Sequence, residues 1–278
     1  MLITSKDNET IKHIRKLKEK KYRDEYGEYV IEGIKLINEA IKEKANVKTI
    51  IVCDNCNKEA ITQNSMYEVA KQNCIYVDEK VFNTITEVKN PQGILAIVKR
   101  LEYTMEDILG KSASKCEEKS GEKEKNPQNH QIRVPHVIVL DNLQDPGNLG
   151  TIFRTAEAAG ATGILLSSDS VDVYNPKVIR STMGAVFRMP FFYVKDLPAA
   201  VKSLSSQGIR TYAAHLNGKN VYDEEDYTEG CAFLIGNEGN GLRDEVSECA
   251  DCLIRIPMCG KAESLNAAVA AAVLMFQA

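Results

Sequence analysis

HVIVLDNLQDPGNLGTIFRTAEAAGATGILLS, residues 136–167, is the stretch on which the fold turns. It opens on HVIVL, an apolar run without alternation, as in a strand buried on both faces of a parallel sheet. A turn at Asp145-Pro146-Gly147 leads into a helix expected over 147–159, and a second strand is expected over 163–167. Strand, helix and strand over about thirty residues make a βαβ unit. The alternation continues downstream. A helix is expected at 176–182, with Pro176 at its start, followed by a strand at 191–194, a helix at 198–207 and strands at 211–215 and 232–235. A helix at 242–249, a strand at 252–256 and a helix from Ser264 to the C-terminus complete the series. Such a series predicts an α/β fold with a mostly parallel sheet.

Upstream the chain reads as a second, smaller α/β domain. Ile11, Ile14 and Leu17 share one face of a helix expected over 8–23, and Ile34, Ile37 and Ile41 do so over 33–44. Strands are expected at 28–31, 48–53, 74–77 and 93–99, with short helices at 66–72 and 80–84. Between the halves, Gly110 to Gln131 (GKSASKCEEKSGEKEKNPQNHQ) holds no large aliphatic or aromatic side chain. Such a segment buries too little apolar surface to offset its ordering entropy and reads as a flexible linker. The expected organisation is therefore a domain at 1–109, a linker at 110–131 and a domain at 132–278.

Composition narrows the function classes. An apolar fraction of 44% and a charged fraction of 27% belong to an ordinary globular chain. The longest apolar run, Ala267 to Phe276, is too short to span a bilayer. The start, MLITSKDNET, does not read as a secretory signal, so a reducing cytoplasm is the expected compartment. Cys53 with Cys56, and Cys249 with Cys252, have metal-like spacing. They lie almost 200 residues apart and border apolar strand-like runs, so structural thiols are expected rather than a metal site. A net charge of −4 excludes a uniformly basic coat but not a local patch.

Ligands of open α/β sheets bind beyond the C-terminal ends of the strands, so the loops there carry the chemistry. The first is DNLQDPGNLGTIFR, residues 141–154, which is neither a Walker loop nor GxGxxG. Asn148 can cap the helix it opens. Arg154 sits on an otherwise small and apolar helix, where it can pair with a surface carboxylate or point its planar fork at a phosphate. The second, GNEGNG at 236–241, permits close backbone approach, and Glu238 is a poor choice for a mere turn. The third, PMCGKAESLN at 257–266, ends with Ser264 as a candidate cap, which puts Asn266 on the first helical turn.

Taken together, DNLQDPGNLGTIFRTAEAAGA, FLIGNEGNGL and IRIPMCGKAESLNAAVAAA, in that order and spacing, resemble the three motifs of the SpoU (TrmH) family of RNA ribose 2′-O-methyltransferases. The opening SKDNETIKHIRKLKEKKYRDEYGEYVIEGIKLINEA resembles the N-terminal RNA-binding domain that members often carry. The long charged linker departs from the family's usual shorter connection. The resemblance implies a SPOUT fold with a deep C-terminal trefoil knot, an L30e-like α/β/α domain before it, and a homodimer formed through the C-terminal domain. It also implies S-adenosylmethionine as cofactor, with contacts at Gly236, Ile256, Met258 and Leu265. The catalytic set it implies is Asn148, Arg154, Glu238, Ser264 and Asn266. No metal is implied.

The residue types suit that chemistry. Methyl transfer to a ribose hydroxyl is an in-line displacement that needs alignment and help with a proton. Between Thr10 and Arg23 the cations Lys12, Arg15, Lys16, Lys18, Lys20, Lys21 and Arg23 face only Glu19, a net of +6 suited to RNA phosphates. Tyr22, Tyr26 and Tyr29 could stack bases or lie in the core. Ribosomal RNA is the expected substrate, with tRNA as the alternative. A non-catalytic SPOUT-fold RNA-binding protein would need a damaged motif, and all five positions are filled. A SPOUT base methyltransferase lacks the pattern made by Asn148 and Arg154, and a dinucleotide enzyme would need GxGxxG.

Overall fold

The computed structural model describes residues 2–55, 74–110 and 134–278. The expected helix at 66–72, Cys56 and the expected linker, apart from Gly110, lie outside the described residues. In chain order the elements begin with β1 (Leu2–Ile3), α1 (Glu9–Lys16), α2 (Lys20–Tyr26), β2 (Glu28–Glu32), α3 (Ile34–Lys42) and β3 (Val47–Cys53). Then come β4 (Cys74–Val77), α4 (Glu79–Phe82), β5 (Ile94–Lys99), α5 (Met105–Ile108), β6 (His136–Leu140) and α6 (Pro146–Ala158). They continue with β7 (Gly163–Ser167), α7 (Pro176–Ser181), β8 (Phe191–Val194), α8 (Leu197–Ser206), β9 (Arg210–Ala214) and β10 (Asn220–Val221). The last are β11 (Cys231–Ile235), α9 (Asp244–Ser247), β12 (Cys252–Arg255) and α10 (Ala267–Met275).

Two compact units result: residues 1–102 with 172–188, and residues 103–171 with 189–278. The segment carrying α7 therefore packs in the first unit, although it comes from the middle of the second half of the chain. Asp172 is buried there and holds the equally buried Arg23, whose Nε donates to Asp172 Oδ2 at 2.9 Å. Tyr174 accepts from the Leu101 N–H at 3.0 Å and stacks against Tyr29. The short helix α5 belongs to the second unit, where Ile108 and Leu109 join the core.

The first unit is built on a five-stranded mixed sheet in the order β1-β4-β3-β5-β2. β3 and β4 run parallel, while β5 runs antiparallel to both β3 and β2. Ile11, Ile14 and Leu17 bury the face of α1 against Ile51, Val77 and Leu95. The expected single helix over 8–23 is two helices. Arg23 explains the break: its Nη1 donates to the carbonyls of Leu17 and Lys18 at 2.9 and 2.6 Å, taking acceptors a continuous helix would use.

The second unit holds a seven-stranded, wholly parallel sheet in the order β10-β12-β9-β11-β6-β7-β8. Two of its strands, β7 and β11, are buried at every residue. That is why they read as unbroken apolar runs. β6 leads to β7 and β8 on one side, while β9, β11 and β12 occupy the other. The order reverses between β6 and β11, and the loops after those two strands are the first and second motifs. A crevice outside the strand ends is expected at such a reversal. The expected α/β class with a mostly parallel sheet is what the structure has.

Candidate active site at the ends of β6, β11 and β12

The site begins with a buried carboxylate. Asp141, the residue after β6, is fully buried. Its oxygens accept from Arg243 Nε at 2.8 Å, from the Arg243 N–H at 2.9 Å and from Arg243 Nη2. Arg243 follows the GNEGNG loop, so this clamp ties the second motif to the first. A second tie runs from Asn237 Nδ2 to the Asn142 carbonyl at 2.8 Å. The loop closes on itself through paired bonds between Asn237 and Gly241, both 2.9 Å. Gly236 is obligatory in that closure, because a Cβ there would lie 2.1 Å from the Gly241 carbonyl carbon and from the Leu242 nitrogen.

Glu238 then reaches across to the start of α6. Its Oε1 accepts from the Asp145 N–H at 2.8 Å and from Asn148 Nδ2 at 3.0 Å, and its Oε2 accepts from the Gln144 N–H at 3.2 Å. Partial burial raises this carboxyl, but the bond from Asn148 and those from the backbone outweigh it, and its pKa lies below the ordinary glutamate value. Asn148 in turn accepts at Oδ1 from Asn266 Nδ2 at 3.0 Å. Asn266 Oδ1 accepts from the Ala268 and Val269 N–H groups at 2.9 and 3.3 Å. A continuous relay therefore runs from Glu238 through Asn148 and Asn266 to the N-terminus of α10, joining three motifs some 118 residues apart.

Two capping roles differ from the expectation. Asp145, not Asn148, caps α6, accepting from the Asn148 N–H at 2.8 Å. Asn266, not Ser264, caps α10. With Pro146 at the first helical position, the helix starts one residue earlier than the glycine suggested, which frees the Asn148 amide for Glu238. Arg154 lies six residues further along α6, a rise of about 9 Å. It is exposed and makes no hydrogen bond or ion pair among the described residues. Ser264 is exposed too.

Beside the relay lies a cleft of about 800 Å³. Gly236, Ile256, Met258 and Leu265 line it together with Glu238 and Ser264, so residues from separate loops meet as expected. Its volume falls in the range of sites for small organic ligands, about 300–1,000 Å³. Among the described residues the N–H groups of Ile256, Met258 and Leu265 donate to no protein acceptor. Unpaired donors above an apolar floor (Ile235, Ile254 and Ala267) suit a nucleoside whose ring nitrogens accept from backbone. The residues present thus fit S-adenosylmethionine.

Elsewhere the expected sites fare unevenly. Lys12, Lys16, Lys20 and Lys21 are exposed, and Lys16 and Lys21 each lie 5.6 Å from the Tyr22 ring centre. Tyr22 stacks with the exposed Tyr26 at 6.2 Å. Lys12 pairs with Glu9 at 3.1 Å, Arg15 donates to Thr84 at 2.8 Å and Lys18 is half-buried. Arg23 is withdrawn from any RNA face by its burial against Asp172, and Tyr29 is core. Cys53, Cys249 and Cys252 are free thiols, with burial pushing Cys53 and Cys252 up. No group of three metal-ligating side chains occurs among the described residues. No sequence pattern pairs Asp141 with Arg243; the one signal is a carboxylate directly after an apolar strand.

Residues 135–276 match the SpoU rRNA Methylase family, and residues 8–96 match the MRM3-like substrate binding domain. The chain belongs to the SpoU rRNA methylase family. It is 33% identical over 274 residues to the 23S rRNA (guanosine(2553)-2′-O)-methyltransferase RlmP of Bacillus subtilis (strain 168), covering 99% of this chain and 97% of that protein. An uncharacterized tRNA/rRNA methyltransferase of Synechocystis is 29% identical over 99% of this chain and 92% of its own length. Among solved structures, an AdoMet-bound rRNA methyltransferase from Sinorhizobium meliloti superposes with a TM-score of 0.81 at 33% identity, covering 100% of this chain and 96% of that one. Within the SpoU rRNA methylases, then, this chain carries both a methylase domain and a substrate-binding domain.

Proposed function

We propose that this protein transfers the methyl group of S-adenosylmethionine to a ribose 2′-hydroxyl of ribosomal RNA. The observation that carries the reading is the relay from Glu238 through Asn148 to Asn266, set beside a cleft that collects Gly236, Ile256, Met258 and Leu265. The relatives act in their names on rRNA or on tRNA and rRNA, and the full-length similarity to RlmP favours 23S rRNA.

S-adenosylmethionine supplies an electrophilic methyl group on a sulfonium. The O–CH₃ bond forms as the S–CH₃ bond breaks, and the hydroxyl proton passes to solvent. Arg154 holds the phosphate next to the target ribose and stabilises charge developing on the 2′-oxygen, since a guanidinium does not give up its proton. Glu238, Asn148 and Asn266 fix α6, and with it Arg154, relative to the cleft. Ser264 bonds near the ribose, and Lys12, Lys16, Lys20 and Lys21 gather RNA phosphates.

A cytoplasmic location is the reading that an rRNA substrate supports. Val269 on α10 and Phe276 just after it, exposed at 48% and 66%, support a homodimer through the second unit. We further infer the family's trefoil knot in the C-terminal segment. Two measurements test these readings. Purified protein should methylate rRNA from a strain lacking it, at a single mapped 2′-O position, and rRNA that accepts no methyl group would refute the activity. Light scattering should give about twice the 30.9 kDa chain mass; a fully active monomer would refute the assembly.

A further inference from the structure

The first unit holds a second cavity, of about 280 Å³, that no part of the methyl-transfer reading uses. Its walls come from the start of α3, from the loop before β5 and from the end of α7. The floor is apolar, from Leu36, Val88 and the half-exposed Met183. Two carboxylates, Glu32 and Glu39, also line it, but both are engaged. Glu32 accepts from Thr86 Oγ1 at 2.5 Å and from the Glu87 N–H at 3.3 Å, while Glu39 accepts from Arg188 at 2.9 Å. The groups left over are donors. Among the described residues Arg180, Lys35 and the Asn90 amide make no hydrogen bond or ion pair, and Gln92 uses its oxygen for the Ile34 N–H but not its amide nitrogen. Met183 takes a left-handed φ of 52°, and Gly184 follows at 96° with the Glu39 side chain 3.3 Å from where a Cβ would stand.

We infer that this cavity binds one unstacked nucleotide of single-stranded RNA, the base over Leu36, Val88 and Met183 and a phosphate on Arg180 and Lys35. The volume lies at the small end of ligand sites, which suits one nucleotide rather than a helix. An apolar floor with free amide and guanidinium donors at its rim is what an unstacked base and its phosphate require. The inference rests on the RNA-directed reading above and adds the place where the first unit reads its substrate.

Photocrosslinking tests it with the full-length chain and a single-stranded RNA oligonucleotide carrying 4-thiouridine. Crosslinked peptides should contain Val88–Gln92 or Arg180–Met183. Crosslinks confined to other peptides overturn the site. Arg180→Gln should weaken oligonucleotide binding about tenfold and flatten its log–log salt slope by about 0.7, the loss of one phosphate contact on a single strand. Lys35→Gln should do the same if the Arg180 variant misfolds. Unchanged affinity and slope in folded variants refute the proposal. Methyl transfer to rRNA is measured separately on the wild-type chain, so a failed cavity and a failed enzyme give different results.

Discussion

Arg154, like Arg180, makes no side-chain hydrogen bond or ion pair among the described residues and stands exposed on α6, whereas Arg23, Arg188 and Arg243 are bound to carboxylates. In the proposed role the planar fork matters, because a lysine cannot bind a phosphate bidentately. Arg154→Lys is therefore expected to lower kcat by at least tenfold while calorimetry finds cofactor affinity unchanged. Near-full activity would remove Arg154 from the mechanism. Glu238 gives a second residue-scale expectation, in pH. Its carboxyl titrates below the ordinary glutamate value of about 4.3, so its contribution is complete above that value and fades as pH falls through the lower, folded one. The Asn148 and Asn266 side-chain amide resonances should stay constant from pH 7 to 5 and move only in more acidic solution. Movement near neutrality would mean that another group controls the relay.

At the scale of elements, one residue both caps a helix and closes the relay. Asn266 holds the first turn of α10 with its oxygen and Asn148 with its nitrogen. Asn266→Asp keeps the cap and turns the second bond into oxygen facing oxygen, so thermal stability should hold while activity falls. Asn266→Ala should lose both, with about 1 kcal/mol of stability gone with the cap. Equal stability loss in the two variants would mean that the relay matters for folding alone. In the GNEGNG loop the close backbone approach falls at position 236, where the Gly241–Leu242 backbone lies against it. Gly236→Ala should open the loop, abolish cofactor binding and cost about 1–3 kcal/mol in a thermal melt. A variant of wild-type stability that still binds cofactor would show that the loop relaxes freely.

The whole molecule is divided differently from its chain. A reader of the sequence would cut near residue 110 and expect the C-terminal part to stand alone. Residues 172–188 belong to the first unit, where Val173, Val178 and Ile179 are buried and Asp172 pairs with Arg23. Deleting residues 1–102 strips that segment of the core that buries Val173, Val178 and Ile179 and removes Arg23, the cation of Asp172. The truncated chain is expected to aggregate or to melt well below the full protein, with exposed apolar surface reported by dye binding. A soluble truncated core melting at the wild-type temperature would show that 172–188 does not depend on its unit.

Local patterns already determined much of this protein. Continuous apolar runs such as HVIVL and CAFLI announce strands buried on both faces, because a strand with no wet side needs no polar residue. The three loops could be found as candidate sites because they follow buried strands and together resemble the motifs of one family. What only the tertiary structure decided depends on partners distant in sequence. The break after Leu17 needs the Arg23 side chain, the clamp on Asp141 needs Arg243 about a hundred residues away, and the relay needs Asn266 to reach Asn148, 118 residues away. Periodicity reports which face of an element is buried; it carries no information on which remote side chain completes a buried charge or an open hydrogen bond, and those pairings are what assemble the site.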